Sequence, residues 1–103
     1  DFVRISAPDT IPFDIKVKYF LSKESASSAE VIAADIEKAV KKYTEWQTEK
    51  MGRDINPSYL VQMMMEAGAK RVEVRQPTFK AINDITVGKL TTKTVLNGGL
   101  EDV

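Results

Sequence analysis

Beyond Pro12 the chain alternates. Phe13, Ile15, Val17, Tyr19 and Leu21 fall on one side of an extended segment, and Asp14, Lys16, Lys18 and Ser22 on the other. Period two with one polar side predicts a strand buried on a single face, as in an antiparallel sheet covered on one side. Phe20 interrupts the polar side and is a candidate contact, at a sheet edge or with a partner. Residues 2–6 form a shorter β-type run, and Ala7-Pro8-Asp9-Thr10 between the two reads as a turn.

After a polar loop at 23–28 the period changes. Ala29, Ile32, Ala33, Ile36, Val40 and Tyr43 share one stripe of a helix expected over 28–50, with Trp46 at the stripe's edge. Ser27-Ser28-Ala29-Glu30 fits a capping box at its start. Glu37 and Lys41 are spaced as an i,i+4 pair on the opposite face, and Gly52 can take positive φ to stop the helix. A shorter helix begins at Asn56, an N-cap residue, followed by Pro57 at the first helical position, where a missing N–H costs nothing. Ile55 and Leu60 are placed as a hydrophobic staple, and Gly68 is the expected stop. Ser58, Gln62 and Glu66 form the only polar stripe of this helix, which predicts that it is largely buried. Met64 is expected beside Leu60 in the core. Tyr59 and Met65 flank the polar stripe, and two readings stand for them as for Trp46: margin of the core, or an interface with another protein.

Arg71-Val72-Glu73-Val74-Arg75 alternates again and is ended by Gln76-Pro77. A third strand is expected at 85–87, and 91–96 reads as a fourth or as an edge extension. Asn97-Gly98-Gly99 is expected to end the order, leaving 97–103 as a flexible acidic tail. The order of elements predicts an α+β fold in two layers: a three- to four-stranded, mainly antiparallel sheet with two helices packed on one face, ferredoxin-like in flavour. Phe13, Ile15, Val17, Tyr19, Ile32, Ile36, Val40, Leu60, Met64, Val72, Val74, Ile85 and Val87 are its expected core.

Composition narrows the chemistry. A length of 103 residues fits one domain. The absence of His and Cys excludes an imidazole base, a thiol nucleophile and a Cys/His zinc site. Fifteen basic against fifteen acidic residues give no net attraction toward nucleic acid or an anionic membrane. No apolar run is long enough to span a bilayer. Gly88-Lys89 lacks the rest of a phosphate loop, with Asn83 and Leu90 at the positions that need Gly and Ser or Thr. Glu101 and Asp102 alone do not make a cation site. Lys38, Lys41 and Lys42 lie among Asp35, Glu37 and Glu45, the pattern of a solvated helix face. The expectation is a domain with no catalytic residue, cofactor, metal, nucleic-acid or membrane partner, acting through protein contacts, with Phe20, Trp46, Tyr59 and Met65 as candidate interface residues. The start at Asp1-Phe2-Val3 without Met reads as a piece cut from a longer polypeptide.

One resemblance gives this layout a context. Ala7-Pro8 before Ile11-Pro12-Phe13-Asp14-Ile15, the long helix, Asp54-Ile55 leading into Pro57-Ser58-Tyr59-Leu60, then Gly68-Ala69-Lys70-Arg71-Val72, Pro77 and the closing Asn97-Gly98-Gly99-Leu100-Glu101-Asp102 resemble the C-terminal domain of the baseplate J-like protein family of contractile phage tails and related prophage or injection particles. The resemblance covers essentially the whole chain, through the order and spacing of its motifs. It implies a structural role in the baseplate, beside other wedge and tail proteins, with no catalytic residue to carry over. Ala69-Lys70-Arg71 departs from the family's usual Val or Gly-Val, which leaves the start of the second core strand open. A ligand-sensing ferredoxin-like module and an RNA-binding sheet are the alternatives from other functional classes.

Overall fold

The computed structural model describes residues 9–101. Strand β1, Asp9–Ser22, carries the alternation seen in the sequence: Phe13, Ile15, Val17, Tyr19 and Leu21 are buried. A 3₁₀ helix, Lys23–Ser28, starts where the Ser22 hydroxyl accepts from the Glu24 N–H at 3.2 Å. Helix α1, Ala29–Thr48, and helix α2, Pro57–Glu66, follow; strands β2, Arg71–Gln76, and β3, Thr86–Glu101, complete the domain.

The sheet has three strands in the order β2-β1-β3. β2 runs antiparallel to β1, with Val74 opposite Val17 and Val72 opposite Tyr19. β3 runs parallel to β1 from Asp9↔Thr86 to Ser22↔Glu101. The sheet is therefore mixed, which corrects the expectation of a mainly antiparallel one. The two segments expected at 85–87 and 91–96 fall, apart from Ile85 in the preceding turn, in the single strand β3, with bulges at Phe13/Asp14 and Tyr19/Leu21 absorbing the irregularity. That strand also continues through Asn97 to Glu101, so these residues are ordered sheet rather than the start of a loose tail. The run expected at 2–6 and the last two residues of the expected tail lie outside the described residues. Pro12 sits where, among the described residues, β1 has a neighbour on one side only, since β2 reaches no further than Lys16. That is where a sheet tolerates a residue without an N–H.

Both helices cover the same face of the sheet, α1 over β3 and α2 over β2. Ile36, Val40 and Tyr43 of α1, Leu60 and Met64 of α2, Ile55 and the inward residues of β1 make one core cluster. Ile55 and Leu60, the expected staple pair, are both buried in this cluster. Each fully buried aliphatic side chain of this set contributes roughly 1.5–3 kcal/mol of transfer free energy. Val72, Val74, Val87 and Ile32 are half-buried. Ile85 is 60% exposed, and Thr86 takes the inward position instead. The cause is the turn before β3: Asn83 Oδ1 accepts from the Ile85 N–H and from the Thr86 hydroxyl, at 3.1 and 2.6 Å, turning Thr86 inward.

Both starts of helices are informative. Asn56 caps α2 as expected, its side chain accepting from the Ser58 N–H at 3.0 Å. The capping box at α1 is not made: Ser28 is the N-cap residue and bonds no amide through its side chain, because the 3₁₀ helix leads directly into α1. Helix α2 is also less buried than its sequence implies. Only Leu60 and Met64 of α2 are fully enclosed, since among the described residues no further layer covers its outer side. Gly68 closes α2 with φ +125°, and a Cβ there would stand 2.8 Å from the Ile32 side chain, so the chain can turn into β2 only by lying close against α1.

Candidate functional site

The covered side holds a small polar network inside the apolar core. Gln47 continues the α1 stripe four residues beyond Tyr43, and it is fully buried. Its Nε2 donates to the carbonyls of Arg53 and Asp54, at 3.1 and 2.9 Å. Its Oε1 accepts from the Asn56 N–H at 3.2 Å and from the Tyr43 hydroxyl at 3.0 Å; that hydroxyl also lies 3.1 Å from the Asn56 carbonyl. One amide thus replaces water for the loop joining α1 to α2. Burial pushes the Tyr43 hydroxyl up to about 12. The sequence reading missed Gln47, although its place on the α1 stripe was the available signal.

Trp46 and Tyr59 meet at the outer margin of this network. Their ring centroids are 4.4 Å apart at an interplanar angle of 55°. The Arg53 guanidinium lies 4.2 Å over the Trp46 ring, donates to the Trp46 carbonyl and reaches Glu49 at 3.3 Å. Both rings are half-buried, so each still presents part of its surface to solvent. Met65 is 48% exposed and lies about 120° round α2 from Tyr59. Of the four candidate contacts, the fold brings Trp46 and Tyr59 together, leaves Met65 apart, and puts Phe20 on the other side of the sheet.

Phe20 is only 9% exposed. Its cover is internal. The Arg71 guanidinium stacks 4.0 Å above the ring and Lys18 Nζ approaches to 5.5 Å. Gly98 leaves the space: a Cβ on it would stand 2.5 Å from a ring carbon. Arg71 is held in turn by Glu73 at 2.6 Å and by both carboxylate oxygens of Glu101, at 3.2 and 2.6 Å, while Lys70 reaches Glu101 at 3.4 Å. Arg71, and secondarily Lys70, hold the Glu101 carboxyl below the usual carboxylate value. Hydrogen bonds from Thr91 and Thr92 do the same for Asp14.

Next to this cluster the open face forms a cleft of about 280 Å³, lined by Lys16, Lys18, Glu73, Arg75, Thr94 and Leu96 around the Val17 backbone position. A groove of about 320 Å³ on the helical side is lined by Asp35, Lys38, Lys42, Met63 and Glu66. Among the described residues no three His, Cys, Asp or Glu side chains gather as a metal site, and no helix is long and apolar enough to cross a membrane.

A family model described as the baseplate J-like protein C-terminal domain matches residues 13–96, from the inward face of β1 to the last aliphatic residue of the cleft. The chain belongs to that family. No curated protein matches it. Membership gives this baseplate J-like domain a structural role in a phage baseplate, in a family whose domains are typically not enzymes.

Proposed function

We propose that the domain is a structural part of a contractile phage or phage-like tail baseplate. It forms the C-terminal portion of a longer chain and works by packing against other wedge and tail proteins. The observation that carries this reading is the extent of the family match: residues 13–96 include α1, α2, β2 and most of β1 and β3. A fold stabilised by one apolar cluster, with ion-paired charges and paired aromatic rings at its surface, suits an assembly part. Trp46, Tyr59 and Met65 are proposed contact residues, since Met and aromatic side chains are enriched where proteins meet. Phe20 supports the open face from within.

Purification of tail particles from cells carrying the gene tests the reading. Co-sedimentation of the protein with sheath and tube proteins, and its localisation to the tail tip by immunogold labelling, are the expected results. A protein that stays in the soluble fraction while complete particles form without it would overturn the proposal. Tail genes beside its own gene are expected as well.

A further inference from the structure

The geometry points to the open face of the sheet as the docking surface for an acidic, extended segment of a neighbouring protein subunit. This rests on the baseplate reading and adds the chemistry of one contact. Among the described residues no helix covers this face, since α1 and α2 both lie on the other. Its cleft gathers three cations, Lys16 and Lys18 from β1 and Arg75 from β2, against a single lining carboxylate, Glu73. Glu73 is engaged 2.6 Å from Arg71, and Glu101 is engaged by Arg71 and Lys70. Among the described residues no carboxylate comes within ion-pair distance of Lys16, Lys18 or Arg75. Asp14, a further carboxylate beside Lys16 on this face, accepts from Thr91 and acts on Lys16 only at longer range, while on α1 Lys38, Lys41 and Lys42 are interleaved with Asp35, Glu37 and Glu45.

The spacing says what fits. Lys16 and Lys18 are two residues apart on a strand, so their side chains stand ~7 Å apart on one face. Carboxylates two residues apart on an extended partner have the same spacing. Leu96, 54% exposed at the edge of the cleft, offers an aliphatic contact between them, and Thr94 a hydroxyl. Charge complementarity of this kind fixes register and speeds encounter. Nucleic acid fits less well. Base stacking needs a free ring, and Phe20 on this side already lies under Arg71 and cannot serve as a stacking platform.

Lysine acetylation followed by mass spectrometry, on the full-length protein free and in purified particles, tests the inference. Lys16 and Lys18 are expected to be protected on assembly, and a zero-length carbodiimide is expected to join them to Asp or Glu of another subunit. K16E/R75E is expected to lower incorporation about tenfold, while K41E on the outer face of α1 incorporates like the unaltered protein; circular dichroism checks that both variants fold. Equal acetylation of Lys16 and Lys18 in both states would overturn the inference, as would cross-links confined to the protein's own chain, protection abolished by nuclease, or full incorporation of K16E/R75E. In each of those cases the unaltered protein is still found in the particle, so the baseplate reading survives. Its absence from the particle removes that reading, and this contact with it.

Discussion

Consecutive residues of β1 serve two different environments. Phe13, Ile15, Val17, Tyr19 and Leu21 face two helices and are sealed from water, and the polar atoms near them are satisfied internally by Gln47 and Tyr43. Asp14, Lys16, Lys18 and Phe20 face the other way, where order is kept by ion pairs and by cations stacked on a ring. The two sides draw on different physics. Burial of apolar surface and of satisfied hydrogen bonds is insensitive to salt; exposed ion pairs are weak and screened. The covered side is therefore where stability resides, and the open side is free to carry charges that the fold does not require.

Four changes test that contrast, beginning with the largest. Gln47→Leu leaves two carbonyls and one N–H short of partners in a dry site, while the Tyr43 hydroxyl keeps the Asn56 carbonyl, and is expected to cost about 3–5 kcal/mol in urea denaturation. A loss under about 1 kcal/mol would mean that water reaches this network and that the two sides are alike. Next comes alkaline pH. Tyr43 keeps its proton more tightly when folded, so its contribution is complete below pH 10 and is lost as pH rises toward about 12. About 2–3 kcal/mol should disappear across that window, and Tyr43→Phe should flatten the profile.

Gly98→Ala probes the open side. The new methyl displaces the Phe20 ring from beneath Arg71, with an expected loss of about 1–2 kcal/mol and increased protease sensitivity near β3. The smallest effect belongs to Glu101→Gln. Its depressed carboxyl helps the folded state above the ordinary carboxylate value of 4.5, and that help fades as pH falls through the lower folded value. The expected signature is a slight loss of stability at neutral pH that disappears in high salt; a large, salt-independent loss would place Glu101 among the structural groups of the covered side.

Much of the covered side was legible in the sequence, and the reason is periodicity. Alternation in β1 and the helical stripe of α1 named the core, and Asn56-Pro57 marked the start of α2 to the residue. What escaped depends on pairing between distant segments. Nothing local in 86–101 says that it runs parallel to β1, and glycines at 88, 98 and 99 read as breaks. Gly98 is instead demanded by Phe20, which is far from it in sequence. Hydrophobicity alone predicts Ile85 inward, yet the Asn83 turn sets the register by hydrogen bonding and turns Thr86 in. In sequence Phe20 reads as an edge or partner contact, because its cover, Arg71, lies on another strand and is itself held by Glu101. Polar residues on alternate positions announce an open face, but only the assembled sheet shows which of its cations make a close ion pair and which do not.

The parallel pairing of β1 with β3 has a mechanical consequence. Asp9 lies beside Thr86 at one pole of the sheet and Glu101 beside Ser22 at the other, so tension applied to the chain at residues 9 and 101 pulls the two strands past each other. The hydrogen bonds linking them are then loaded in shear, many at once, instead of being unzipped one pair after another. A domain threaded this way transmits force along its length, whereas a hairpin of the same strands would peel open.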